Sequence, residues 1–170
     1  DTQDPLTFFI ADSDGFSGRV LMTTNGGFNF EVILEGEDYF SQIHTLIYQE
    51  STQSLWAAGT GYGWRVARAL ITSEIAWSSL DNGLPVSAIT CMTATRDSRI
   101  LIGSNGGGIY RYLEDKDFWR RLDIEPRRRY VRCIAAATAG VAAGFSENGV
   151  AMEINGEWIE ANENLFARNI

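Results

Sequence analysis

A quartet of short β-prone segments recurs along this 170-residue chain, and the recurrence predicts an all-β fold of the β-propeller class, four blade-like units of four antiparallel strands. Three observations carry that prediction. Four stretches, LTFFIADSDG, SLWAAGTGYG, RILIGSNGGG and GVAAGFSENG, each run from apolar residues through a small or acidic residue into a glycine-bearing turn. Each is followed by a second β-prone run (GRVLMTT, RVARALIT, GGIYRYL, GVAMEIN) and then a large aromatic: Phe30, Trp77, Trp119 or Trp158, at spacings of 47, 42 and 39 residues. A further β-prone run (QIHTLIYQ, VSAITCMTA, VRCIAAAT) precedes three of the four stretches. One such sheet cannot bury both of its faces, and stacking sheets side by side covers them.

The units fall at about 1–40, 41–84, 85–129 and 130–170, one repeating domain or a fragment of one. The first unit lacks a first strand, because LTFFIAD already matches second strands. The second strands are rich in small and apolar residues, as crowding between neighbouring blades requires. Gly59, Gly103 and Gly144 align there at spacings of 44 and 41, with Ala11 aligned to Ala58. In the first strands the pairs Ile43/Leu46, Val86/Ile89 and Val131/Ile134 align. That register puts Cys91 and Cys133 on opposite faces, as free, buried thiols acting as small hydrophobes. Trp77, Trp119 and Trp158 begin the fourth strands, where a large ring wedges between blades. The triplet Gly106-Gly107-Gly108 is then a turn between second and third strands. A phosphate-cradling loop needs a helix after it, and IYRYL is β-prone. At the far end NENLFARNI resembles DNGLPVSAI, the entry to a first strand. A second copy of the chain, or further blades, is expected to complete the ring, in preference to four blades closing alone.

Composition narrows the partners. A formal net charge of −8 disfavours nucleic acid, whose backbone repels such a surface. No run of eighteen apolar residues exists, so no insertion into a membrane is expected. The two cysteines have no metal-ligand spacing, and neither a metal nor a cofactor is expected. The chain opens as mature domain at Asp1, so a leader or upstream blades are not excluded; the compartment stays open, with an extracytoplasmic or secreted setting slightly favoured.

The stretch TTNGGFNFEVI resembles the Asp box of sialidase-like (BNR) repeats, S-x-D-x-G-x-x-W, with Thr23, Asn25, Gly27 and Phe30 on its four positions, each a conservative departure. In that family the box is a structural hairpin turn and takes no part in catalysis. AWSSLDNGLP resembles the blade ending of bacterial repeats of this type, while SLWAAGTGYG and RILIGSNGGGIYRY resemble the propeller repeats of sensor domains in bacterial two-component regulators. The resemblances imply a propeller, and a bacterial one.

Candidate sites are few. Glycosidases on propellers use carboxylate pairs. Asp12, Asp14, Glu35, Glu37 and Asp38, with Glu114, Asp115 and Asp117, all fall in turns, where acids usually cap backbone amides. None is assigned a catalytic role. His44, the only histidine, has no partner by spacing for a metal or nucleophile site. Arg120, Arg121, Arg127, Arg128, Arg129 and Arg132 form one basic concentration, expected at a rim between the third and fourth units. GTGYGWR adds flat aromatic faces to a glycine-rich loop. Tyr62, Trp64, Arg65, Asn105, Arg127, Arg128 and Arg129 are therefore the candidate ligand-binding residues. The function expected is binding or scaffolding of a protein or glycan partner through loops on one rim. The alternatives are part of a sialidase-like glycoside hydrolase and an extracytoplasmic sensor module.

Overall fold

The structure, a computed structural model, describes residues 4–13, 16–36, 38–61, 63–84, 87–124 and 128–163. They form four antiparallel sheets. The first has three strands, β1 (Phe8–Ser13), β2 (Gly18–Thr23) and β3 (Glu31–Leu34). The second is a four-stranded meander of β4 (Gln42–Gln49), β5 (Ser54–Thr60), β6 (Val66–Leu70) and β7 (Trp77–Ser79). The third holds β8 (Ile89–Ala94), β9 (Ile100–Ser104), β10 (Gly108–Leu113) and β11 (Phe118–Arg121), and the fourth β12 (Val131–Ala137), β13 (Gly140–Phe145), β14 (Gly149–Ile154) and β15 (Glu157–Glu160). Among the described residues the strands read from the repeat are present and the first sheet has three strands, with no first strand; most of the C-terminal segment read as the entry to a further first strand, 164–170, lies outside the described residues. No helix among the described residues is long and apolar enough to cross a membrane.

The chain divides into two compact units, Asp1–Asp81 and Asn82–Ile170, each holding two sheets. In the first unit, Val20, Leu34, Phe40, Leu55, Ala57 and Ala67 share one buried cluster. Gly18 N–H donates to the Phe40 carbonyl at 2.7 Å, and the Trp77 indole N–H donates to Ile33 O at 2.8 Å, so Trp77 ties the second sheet to the first. In the second unit the core gathers Leu101, Ile109, Val131, Val141 and Phe145 from both sheets. Trp119 is 1% exposed and its ring lies 5.1 Å from that of Tyr112.

The register corrects two expectations. Each first strand carries a β-bulge, with His44, Thr90 and Arg132 as the unpaired extra residues. Just beyond the bulge Thr45 pairs with Ala58, Cys91 with Gly103 and Cys133 with Gly144. The small position of the second strand is thus Ala58, Gly103 and Gly144; Gly59 lies one residue on. Likewise Ile43, Ile89 and Val131 are equivalent, and Val86 is outside the described residues. A bulge adds a residue on one strand only, so it shifts an alignment drawn by apolar pattern. The second correction follows from the first. Cys91 and Cys133 hold the same register position on neighbouring sheets, not opposite faces. Both are free; Cys91 is half-buried and Cys133 exposed, so only the former acts as a packed thiol. Burial pushes the Cys91 thiol up to about 11, with Cys133 adding a small further rise.

Gly103 shows why the position is small. A Cβ there would lie 2.4 Å from Val131 Cγ1 and 2.6 Å from Cys91 Sγ, so the third and fourth sheets approach as closely as backbone permits. The bulged Thr90 reinforces that contact, its hydroxyl donating to Val131 O at 2.7 Å.

Candidate functional site

The turn between β9 and β10 and the segment entering β12 meet in the second unit. Asn105 forms an isolated antiparallel bridge with Tyr130. The Arg129 carbonyl accepts from Gly106 N at 3.0 Å and from Gly108 N at 2.9 Å. Both glycines have positive φ, +108° at Gly106 and +90° at Gly108, which a side chain would strain. Asn105, Arg129 and Tyr130 are exposed, Tyr130 to 48%, on a backbone fixed by those bonds. Two residues expected in one surface, Asn105 and Arg129, are therefore brought together. Tyr130 was missed; the signal was its place directly after the arginine run.

Arg128 goes inward. Its side chain is 5% exposed, its Nη2 lies 3.6 Å from Glu160 Oε1, and its guanidinium sits 5.4 Å from the Phe145 ring centroid. It lines a cavity of about 200 Å³ with Ile124, Ala151, Trp158 and Glu160. The rest of the basic concentration is dispersed, which corrects the expected rim patch. Arg120 and Arg121 belong to β11, and Arg132 is the bulge residue of β12, donating through Nε to Ser146 Oγ at 2.7 Å. A charge run in sequence alternates between faces once it enters strands. Arg127 lies outside the described residues.

In the first unit, Tyr62 likewise lies outside the described residues. Trp64 stacks on Tyr39 at 4.2 Å and 23°, and meets Phe40 edge-on at 6.3 Å, so one of its faces is already used. Arg65 is positioned by Asp81, whose carboxylate accepts from Arg65 N at 3.0 Å and from Val66 N at 2.8 Å. Asp81 was not anticipated. Its equivalent in the fourth sheet is Asn162, which accepts from Val150 N at 2.7 Å. In both sheets the residue before it donates its N–H to the start of the third strand, Leu80 to Val66 O and Ala161 to Val150 O.

The turn after β2 is closed by its own side chains. The Thr23 hydroxyl donates to Asn25 Oδ1 at 2.9 Å and accepts from Gly27 N at 3.0 Å, and Asn25 Oδ1 accepts from Asn29 N at 3.0 Å. Gly27 sits at φ +93°, and Phe30 packs edge-on against Phe8 at 5.9 Å. Such side-chain acceptors replace ladder bonds the turn cannot make.

Among the acids, Asp12 is ion-paired with Arg19 and Asp117 accepts from the Tyr112 hydroxyl at 2.7 Å, while Asp14 and Glu37 lie outside the described residues. His44 contacts Gln42 at 3.4 Å. No group of three or more His, Cys, Asp or Glu gathers among the described residues in a way that would hold a metal ion.

No family model matches the sequence, and no curated protein matches it by sequence. Solved structures do match, and they are β-propellers. The computationally designed Ika4 protein superposes with a TM-score of 0.63 at 16% identity, over 91% of this chain and 87% of that one. YCF48 bound to D1 peptide gives 0.61 at 17%, over 92% of this chain and 50% of that one. Virginiamycin B lyase from Staphylococcus aureus gives 0.59 at 17%, over 99% of this chain and 59% of that one. The chain thus spans about half to three-fifths of the latter two, and at these identities the likeness is one of fold.

Proposed function

We propose that this β-propeller chain is a non-enzymatic binding module that recognises a protein segment through the surface formed by Asn105, Arg129 and Tyr130. The observation that carries the reading is the pair of backbone bonds from Gly106 and Gly108 to the Arg129 carbonyl. They hold a polar amide, a basic residue and an exposed phenol on one preorganised loop pair, and preorganisation lowers the entropy lost on binding. Tyr and Arg are the residue types that anchor protein interfaces. YCF48, a structure of the same fold, is described with a bound peptide, a precedent for the mode and not for the partner. The Thr23–Phe30 turn supports placing the first sheet with Asp-box-like repeats of bacterial propellers. The lyases share the fold at 15% and 17% identity, a likeness that carries no catalytic residue across.

The test is a screen of immobilised peptide and glycan libraries with the wild type and with an Arg129→Glu/Tyr130→Ala double variant. Peptide ligands should appear that bind the double variant at least tenfold more weakly, with its melting temperature nearly unchanged. Glycan ligands alone, or turnover of aryl glycosides, would replace this reading with a lectin or a hydrolase.

A further inference from the structure

Arg111 on β10 lies directly opposite Arg120 on β11, and Leu101 on β9 completes the same cross-strand row. Like charges placed opposite each other in a sheet repel. Neither arginine has an acidic partner among the described residues, and the Arg111 Nε is wholly shielded from solvent with no hydrogen-bond acceptor. The row lines a cavity of about 140 Å³ between the third and fourth sheets. Arg99, one residue before β9, enters it from the strand end, and Glu153 and Trp158, themselves paired across β14 and β15, form the opposite wall. Three arginines and one glutamate thus line it, in a chain whose net charge is −8. Arg99 is partly matched already, with Nε 2.8 Å from Asp97 Oδ2, leaving Arg111 and Arg120 as the uncompensated pair.

We propose that this cavity is a binding site for a tetrahedral oxyanion, the phosphate or sulfate group of an ester. The guanidinium fork is the side chain best suited to such groups. Three forks offer more donors than the two oxygens of a carboxylate take up, and a third oxygen matches them. The cavity is too small for a whole ligand, but it adjoins an open groove of about 550 Å³ that shares Arg99, Glu153 and Gly156 and is also lined by Arg96, Thr138 and Asn155. That volume lies within the range of small-molecule sites, so the inner cavity holds the oxyanion and the groove holds the organic remainder. The site lies at the end of the third sheet bearing the Thr95–Arg99 hairpin turn, whereas Asn105 and Arg129 lie at the other, so the two surfaces are separate.

The experiment is a thermal-shift and NMR titration of the whole chain with inorganic phosphate, sulfate and acetate, each against chloride at equal ionic strength. Phosphate or sulfate should raise the melting temperature saturably and shift the Arg111 Nε–H resonance, with acetate weaker. Arg120→Gln, at an exposed position, should melt no lower than the wild type without added anion and bind at least tenfold more weakly. Arg111→Gln should abolish the rise in melting temperature with phosphate or sulfate. The site is overturned if phosphate and sulfate act no differently from chloride, if acetate binds as well, if the Arg111 resonance does not move, or if Arg120→Gln binds undiminished.

Discussion

Strands β1 and β9 occupy the same place in the repeat and have nearly the same chemistry, FFIADS against ILIGS, yet differ in burial. All of β9 is buried, while the last four residues of β1 are exposed. Register makes the comparison residue by residue: Ile10 pairs with Leu21 as Ile102 pairs with Tyr110, and Ala11 with Val20 as Gly103 with Ile109. Ile10 is 38% exposed and Ile102 0%. The cause is the neighbour. Strand β9 has β8 on one side and β10 on the other, whereas among the described residues β1 is paired with β2 alone. Apolar sequence marks a strand as suited to burial; the adjoining strand and sheet deliver it.

The comparison breaks or sharpens by mutation. Trp119→Ala should lose about 3–5 kcal/mol in urea denaturation, as for a large ring removed from a tight core, whereas Phe30→Ala, at the equivalent but 42% exposed position, should lose about 1 or less. Equal losses would show that the first sheet is packed as tightly as the third. Next, Ile102→Ala should cost about 2–5 kcal/mol and Ile10→Ala under about 1, read the same way. A larger effect at Ile10 would mean that something covers β1 in solution. Gly103→Ala should cost about 1–3 kcal/mol through its clash with Val131, while Ala11→Val, at the matching position, should be nearly neutral. The smallest contrast lies in the turns between third and fourth strands. Asn25→Ala removes an acceptor that closes the turn after β2 and should cost about 1 kcal/mol. Asp115→Ala, exposed in the 3-10 turn Glu114–Lys116, should shift the melting temperature barely at all.

The strands were legible because alternating apolar runs and glycine turns are local signals. The tryptophans kept their places for the same reason: Trp77, Trp119 and Trp158 pair with Ala69, Tyr112 and Glu153 at matching positions of the third strands. The bulges at His44, Thr90 and Arg132 were not legible, since an extra residue on an edge strand leaves no mark in the apolar pattern. Missing them displaced Gly59 by one position and put the cysteines on opposite faces. The candidate site was legible in part. Asn105 and Arg129 meet, but Arg128 turns inward and Arg120 joins Arg111 instead, because strand alternation and not sequence proximity assigns side chains to faces.

What the sequence determined by itself is the repeat: where strands begin and end, which turns need glycine, and where large rings recur. All of these follow from backbone geometry and hydrophobic period over a few residues. Only the tertiary structure decided which equivalent positions are covered, which arginines share a cavity and which donor is left without an acceptor. Those depend on the sheet stacked alongside, whose contacts come from residues some forty positions away in the chain.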